Sequence, residues 1–202
     1  MFVLYAILIG LVLGLFVGGR PGRLGAIRFR SGGLIVAGTL IQVALFSDAV
    51  AARVGDLGPP AYVASTGLVL LAVLRNLRIP GLQFVAAGAG SNLAAIVANG
   101  GYMPASPAAL GLHGGSAAGY SNSIVLANPA LAPLTDIFAL PAWVPAGNVF
   151  SIGDILIVVG VAAAIVLQMR TREIVDIEDR MIRFGPLADL DRAGPPVRRW
   201  AP

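Results

Sequence analysis

The sequence has no cysteine and no lysine, one histidine, and little charge of either sign. Without cysteine there is no disulfide, no thiolate metal site and no thiol nucleophile. A lone histidine, His113, is a poor metal ligand, because zinc needs three or four ligands. Charged residues make up 12% of the chain, against about 25% in an ordinary globular domain. Apolar residues take their place, at 57% with a mean hydropathy of +0.84. These shortages exclude a disordered chain, a disulfide scaffold and a soluble nucleic-acid binder. No phosphate loop, dinucleotide fingerprint or internal repeat of 20–50 residues is present, so no cofactor and no nucleic-acid partner is expected.

What remains is a chain solvated by lipid. A helix needs about 20 mostly apolar residues to cross the hydrocarbon core. Five stretches meet or approach that length: Phe2–Gly19, Gly32–Phe46, Pro60–Leu74, Pro80–Ala98 and Ser151–Met169. The first lacks a basic leader and carries its charges after the apolar run, so it reads as a retained anchor rather than a signal peptide.

All fourteen basic residues are arginine, and they mark the sides. Arg20, Arg23, Arg28 and Arg30 fill the first connection. Arg75 and Arg78 fill the third. Seven more, from Arg170 onward, follow the last span. Arg53 alone lies in the second connection, and the fourth has none. Alternating basic connections follow the positive-inside rule. The expectation is an all-α integral membrane protein, a five-helix transmembrane bundle with the N-terminus outside and the C-terminus in the cytoplasm. Residues 1–170 form the five-span membrane domain. Residues 171–202 form a cytoplasmic amphipathic juxtamembrane helix and a frayed tail, since Ile174, Ile177, Met181 and Phe184 draw one apolar stripe.

Helices in lipid associate through small residues and interhelical hydrogen bonds. Gly10, Gly14 and Gly18 line one face of the first span. They pack either on another helix of the chain or on a second copy in a homodimer. Gln42, Gln83 and Asn92 lie inside spans and should face other helices, as structural bonds or as the wall of a polar cavity.

The outer connection, 99–150, is where chemistry would reside. Asn99-Gly100, followed by Pro104, has the form of a helix C-cap. Thr135 or Asp136 is placed to start a short helix that Pro141 would end. With Trp143 and the nearby phenylalanines, this stretch reads as an interfacial or re-entrant segment, a lid over the bundle. His113, Ser121, Ser123 and Asp136 lack a nucleophile elbow, so no catalytic residues are assigned. Ser151-Ile152-Gly153-Asp154 leads into the last span. An acid there is either a capping residue in the first turn or a carboxylate that handles a ligand or proton. It lacks the second membrane aspartate of an intramembrane protease.

Asn99-Gly100-Gly101-Tyr102-Met103-Pro104, Leu134-Thr135-Asp136-Ile137 and Asn148 through Ile157 together resemble a family of small bacterial integral membrane proteins, domain of unknown function number fifty-three seventeen. The resemblance covers roughly residues 1–170. It implies a multi-span protein of a bacterial cytoplasmic (inner) membrane and brings no activity, substrate or catalytic residue.

The expected role is therefore a non-enzymatic membrane accessory or scaffold protein of unknown activity. Its partners would be the lipid bilayer and a membrane or cytoplasmic protein docked on the tail. The alternative is a small-solute or ion binding or transport protein. Its polar site would lie under the outer lid, lined by Asn92, Asn99, Asp136, Asn148, Ser151 and Asp154. A membrane-embedded enzyme ranks third.

Overall fold

A computed structural model describes residues 2–107, 122–140 and 149–171. His113, Trp143, Asn148 and the tail helix expected after Thr171 lie outside them. The described chain is mostly helical. Its elements are α1 (Phe2–Phe16), α2 (Gly32–Leu45), a short α3 (Asp48–Ala51), α4 (Gly58–Leu74), α5 (Leu82–Ala98) and α6 (Ile152–Arg170). The five longer helices coincide with the five apolar stretches to within about three residues at each end. Two helical stretches, Gly55–Leu74 and Ile152–Arg170, are long and apolar enough to cross a membrane, and the other three are shorter.

Glycine sets several ends. The α1 helix stops at Phe16 because Gly18 takes φ +77°, where a Cβ is disfavoured. The amide of Gly18 then donates to Leu15 O at 3.0 Å, and that of Gly19 to Gly14 O at 2.8 Å. This paired closure uses two carbonyls that the helix end leaves open. Gly18 therefore terminates α1 and meets nothing within 4 Å where a Cβ would stand. At α4, Pro59 and Pro60 occupy the first turn, where their missing N–H costs nothing.

The helices pack in the order α1, α6, α5, α4, α2. The first and last long helices are thus neighbours, and they run parallel. A Cβ on Gly10 would lie 3.0 Å from Ala162 Cα, and one on Gly14 2.5 Å from Met169 Sδ. The glycine face of α1 is accordingly filled by α6 of the same chain. The α5–α6 crossing is tighter still. A Cβ on Gly160 would lie 2.7 Å from Gly81 O, and one on Gly88 would overlap Gly153 O. Between α2 and α4, a Cβ on Gly38 would lie 2.7 Å from Ser65 O, and Gln42 Nε2 donates to Ser65 Oγ at 3.2 Å and Thr66 Oγ1 at 3.3 Å.

Gln83 corrects an expectation. It does not reach another helix; its side chain is exposed, donates to Leu77 O and accepts from the Gly81 amide at 3.1 Å. The turn before α5 has open backbone groups, and a side chain one residue into the helix is the nearest group that can satisfy them.

One end of the helices gathers the arginines. The linker from α1 to α2 crosses this end, tied by the Arg20 amide to Met169 O at 2.9 Å and by Arg23 Nη1 to the same oxygen at 3.1 Å. Buried Asn76 clamps the Arg30 peptide on both sides, accepting from its N–H at 2.8 Å and donating to its C=O at 2.7 Å. Large apolar side chains remain exposed along the outward faces, including Leu4, Leu8, Val36, Leu40, Val43 and Phe84, with Phe16 at 82%.

Candidate functional site

At the end opposite the arginines, three segments form a small platform. The α5 helix closes as α1 does. Gly100 and Gly101 take φ +70° and +89°, and the Gly101 amide donates to Ile96 O at 2.8 Å. The chain then extends. Strand β1 (Met103–Pro104) pairs parallel with β2 (Ser123–Ile124), and Ala105 bridges Asp136 on the other side. Met103 N–H donates to Asn122 O at 2.7 Å, Ala105 N–H to Ile124 O at 2.8 Å, Ser106 N–H to Asp136 O at 2.9 Å, and Asp136 N–H to Pro104 O at 2.9 Å. Strands β3 (Phe138–Ala139) and β4 (Val149–Phe150) pair antiparallel, with the rings of Phe138 and Phe150 stacked at 5.3 Å. Met103 packs with Ala95, Ile96, Tyr62 and Leu134, which seats the platform on α4 and α5.

The short helix expected from Thr135 or Asp136 is absent. A 3-10 turn, Ala132–Leu134, precedes it instead. Thr135 Oγ1 turns back to Ala132 O at 2.8 Å, and the Asp136 amide is spent on Pro104 O. Thr135 is extended at φ −86° and ψ 177°, and the bridge between Ala105 and Asp136 holds the chain in that form instead of a helical turn.

Asn92, Ser151 and Asp154 come together as one cluster. Ser151, fully buried, and Asp154 satisfy each other across the start of α6. Asp154 N–H donates to Ser151 Oγ at 3.1 Å, and Ser151 N–H donates to Asp154 Oδ2 at 3.0 Å. Such a reciprocal pair satisfies two helix-end donors at once. Asn92 on α5 completes it, its Nδ2 donating to Asp154 Oδ1 at 3.0 Å and its Oδ1 accepting from Ser151 Oγ at 2.8 Å. Gly153 makes room: a Cβ there would overlap Asn92 Oδ1 and lie 2.6 Å from Ser91 Oγ. Both carboxylate oxygens are therefore engaged. Beside them, between α1 and α6, runs a groove of about 310 Å³ whose walls include Ile9, Leu140, Phe150, Ile155 and Val159. Its surface is apolar, and Asp154 turns its oxygens away toward Asn92 and Ser151.

Asn99 stands apart from this cluster. It clamps the platform loop, with Nδ2 donating to Ala95 O at 2.8 Å and Ala130 O at 2.9 Å, and Oδ1 accepting from the Ala130 amide at 2.9 Å. Asn148 lies outside the described residues.

Asp136 differs from all of these. It is 7% exposed, and its carboxylate takes no hydrogen bond or ion pair among the described residues. Burial first, and the Asp154 carboxylate second, push its pKa up to about 7. Tyr62, in the first turns of α4, lies within electrostatic range of both acids and accepts a hydrogen bond from Asn122 Nδ2 at 3.1 Å. Sequence reasoning missed Tyr62, and an aromatic near the start of a span carries no signal beyond interfacial anchoring. Among the described residues no group of three or more His, Cys, Asp or Glu is placed to hold a metal.

A family model described as a family of unknown function (DUF5317) matches residues 26–166. The chain belongs to this family. The match takes in α2 through most of α6 and both halves of the site, and it begins after α1, later than the resemblance read from the motifs. No curated protein and no solved structure matches the chain.

Proposed function

We propose that this DUF5317 chain is a five-span protein of a bacterial cytoplasmic membrane, N-terminus outside and C-terminus inside, acting as a non-enzymatic accessory or scaffold. Charge distribution supports the orientation. Arg20, Arg23, Arg28, Arg30, Arg75, Arg78 and Arg170 share one end, whereas the other has Arg53 alone with Asp48, Asp56, Asp136 and Asp154. Helices of 14–17 residues span about 21–26 Å at 1.5 Å per residue. The linkers supply the rest of a core about 30 Å thick.

The observation that carries the functional half is the closed Asp154 cluster. Its oxygens are consumed by a cap and an interhelical amide, and the groove beside it is apolar. A carrier's carboxylate needs access to a polar route. Lipid acyl chains suit the groove, and protein partners would meet the helix faces or the 171–202 tail. With Gly10 and Gly14 occupied by α6, a second copy would have to dock elsewhere on α1.

Two measurements test the proposal. Alkaline phosphatase and green fluorescent protein fusions after residues 52, 78 and 202 should report outside, inside and inside. Any other pattern overturns the orientation. Proteoliposomes containing the purified chain should leak protons and alkali cations no faster than empty liposomes. A cation flux abolished by Asp154→Ala overturns the accessory role in favour of a carrier.

A further inference from the structure

We propose that Asp136 is a proton-binding site that latches the outer platform: the neutral acid seats the 122–140 segment against Met103–Ser106, and the carboxylate loosens it. The inference is independent of which way the chain faces in a membrane.

The geometry starts from what surrounds the side chain. Asp136 is nine-tenths buried, and the donors flanking it are already committed. Its own amide goes to Pro104 O, the Ser106 amide to Asp136 O, the Ala105 amide to Ile124 O and the Ile137 amide to Thr135 O. The Thr135 hydroxyl goes to Ala132 O, and the Asn122 amide group to Tyr62 Oη. A buried carboxylate without donors is costly, and the group avoids that cost by taking a proton.

The charges around it favour the same outcome. The α6 helix brings the Asp154 carboxylate, and α4 brings the Tyr62 phenol. The α5 helix brings only the neutral amides Asn92 and Asn99, β1 is followed by no charged residue through 107, and 122–135 contains none. The one arginine described at this end, Arg53, donates to Ala49 O at 2.6 Å. No described side chain supplies a positive charge, so the proton is the ligand.

Leverage follows from the backbone. The Asp136 peptide makes both hydrogen bonds of the bridge to Ala105. Drawing its side chain toward water pulls on both. The buried acid holds its proton up to about pH 7, while a solvated carboxyl releases it near pH 4. Protons therefore favour the seated state across that window. Seating weakens as pH rises from about 4 to 7 and levels off above it. Between roughly pH 5 and pH 8 the opening constant should rise fifty- to a hundredfold.

The test uses the full chain in detergent micelles. Hydrogen–deuterium exchange, corrected for intrinsic rates, should show protection of the Ala105, Ser106 and Asp136 amides falling by that factor, with α5 unchanged. Infrared spectra should show a protonated-carboxyl band that titrates near neutral pH. Asp136→Asn, a neutral isostere, should remove the band and make protection flat with pH. Exchanging choline for sodium at fixed ionic strength should leave the midpoint in place. A band titrating below about pH 5, or the same pH dependence in Asp136→Asn, overturns the proposal. A sodium-dependent midpoint overturns it too, and gives the site to a metal cation.

Discussion

Gly153→Ala places one methyl group in a tight contact between α5 and α6. The new Cβ would overlap Asn92 Oδ1 and lie 2.6 Å from Ser91 Oγ and 2.7 Å from Asn92 Cγ. Asn92 has to swing away and gives up its bonds to Asp154 and Ser151. Overpacking of this kind costs about 1–3 kcal/mol, and interhelical polar bonds in membranes contribute about 0.6–2 kcal/mol. Alanine returns about 1 kcal/mol through helix propensity. The net expectation is a loss of about 0.6–4 kcal/mol. Reversible denaturation in mixed micelles measures it. The decisive comparison is the double variant with Asn92→Ala, which removes two of the three nearest atoms in the way. There, only the Ser91 hydroxyl has to rotate, so Gly153→Ala should cost much less than in the parent and the two substitutions couple strongly. Additive effects, or a Gly153→Ala protein as stable as the parent, would refute the reasoning.

Asp154→Asn should keep most of the cap, since an amide still accepts the Ser151 N–H. A stability loss below about 1 kcal/mol is expected, against about 1–2 kcal/mol for Asp154→Ala, read by the same denaturation. Because Asp154 is one of the two causes raising the Asp136 pKa, Asp154→Asn should also lower the Asp136 infrared midpoint. Gly81→Ala demands a side chain at φ +93° against the Gly160 carbonyl and should destabilise. Gly90→Ala, which meets nothing within 4 Å, should be neutral or stabilise by up to about 1 kcal/mol; thermal aggregation onset separates the two. Asn76→Ala releases the Arg30 clamp, so limited trypsin digestion should cut faster after Arg28 and Arg30.

The helices were legible because each signal is local. Apolar runs set their lengths, arginine clusters their ends, and Asn99-Gly100 and Ser151-x-x-Asp154 their caps. Asn92 facing another helix followed from the cost of a bare amide in lipid. Neighbour relations were not legible. Gln42 and Gln83 look equivalent in sequence, yet only Gln42 meets a partner helix, because the order α1–α6–α5–α4–α2 decides which faces meet. The same order turned the α1 glycines into a seat for α6 and left Gly18 as a terminator. Asp136 read as a helix start because Thr-Asp before an apolar run favours one. Strand β1, ending 32 residues earlier at Pro104, pairs with it instead, and no local signal announces that long-range contact. Tyr62 became part of the site only through that folding of the outer connection.

The parallel pairing of α1 with α6 has a consequence for biogenesis. The seat that Gly10 and Gly14 offer stays unfilled until Ala162 and Met169 have been synthesised. At about 5–20 residues per second, roughly 150 residues take several seconds to half a minute to follow. Throughout that interval α1 waits without its mate, and α6 closes the pair only when it arrives.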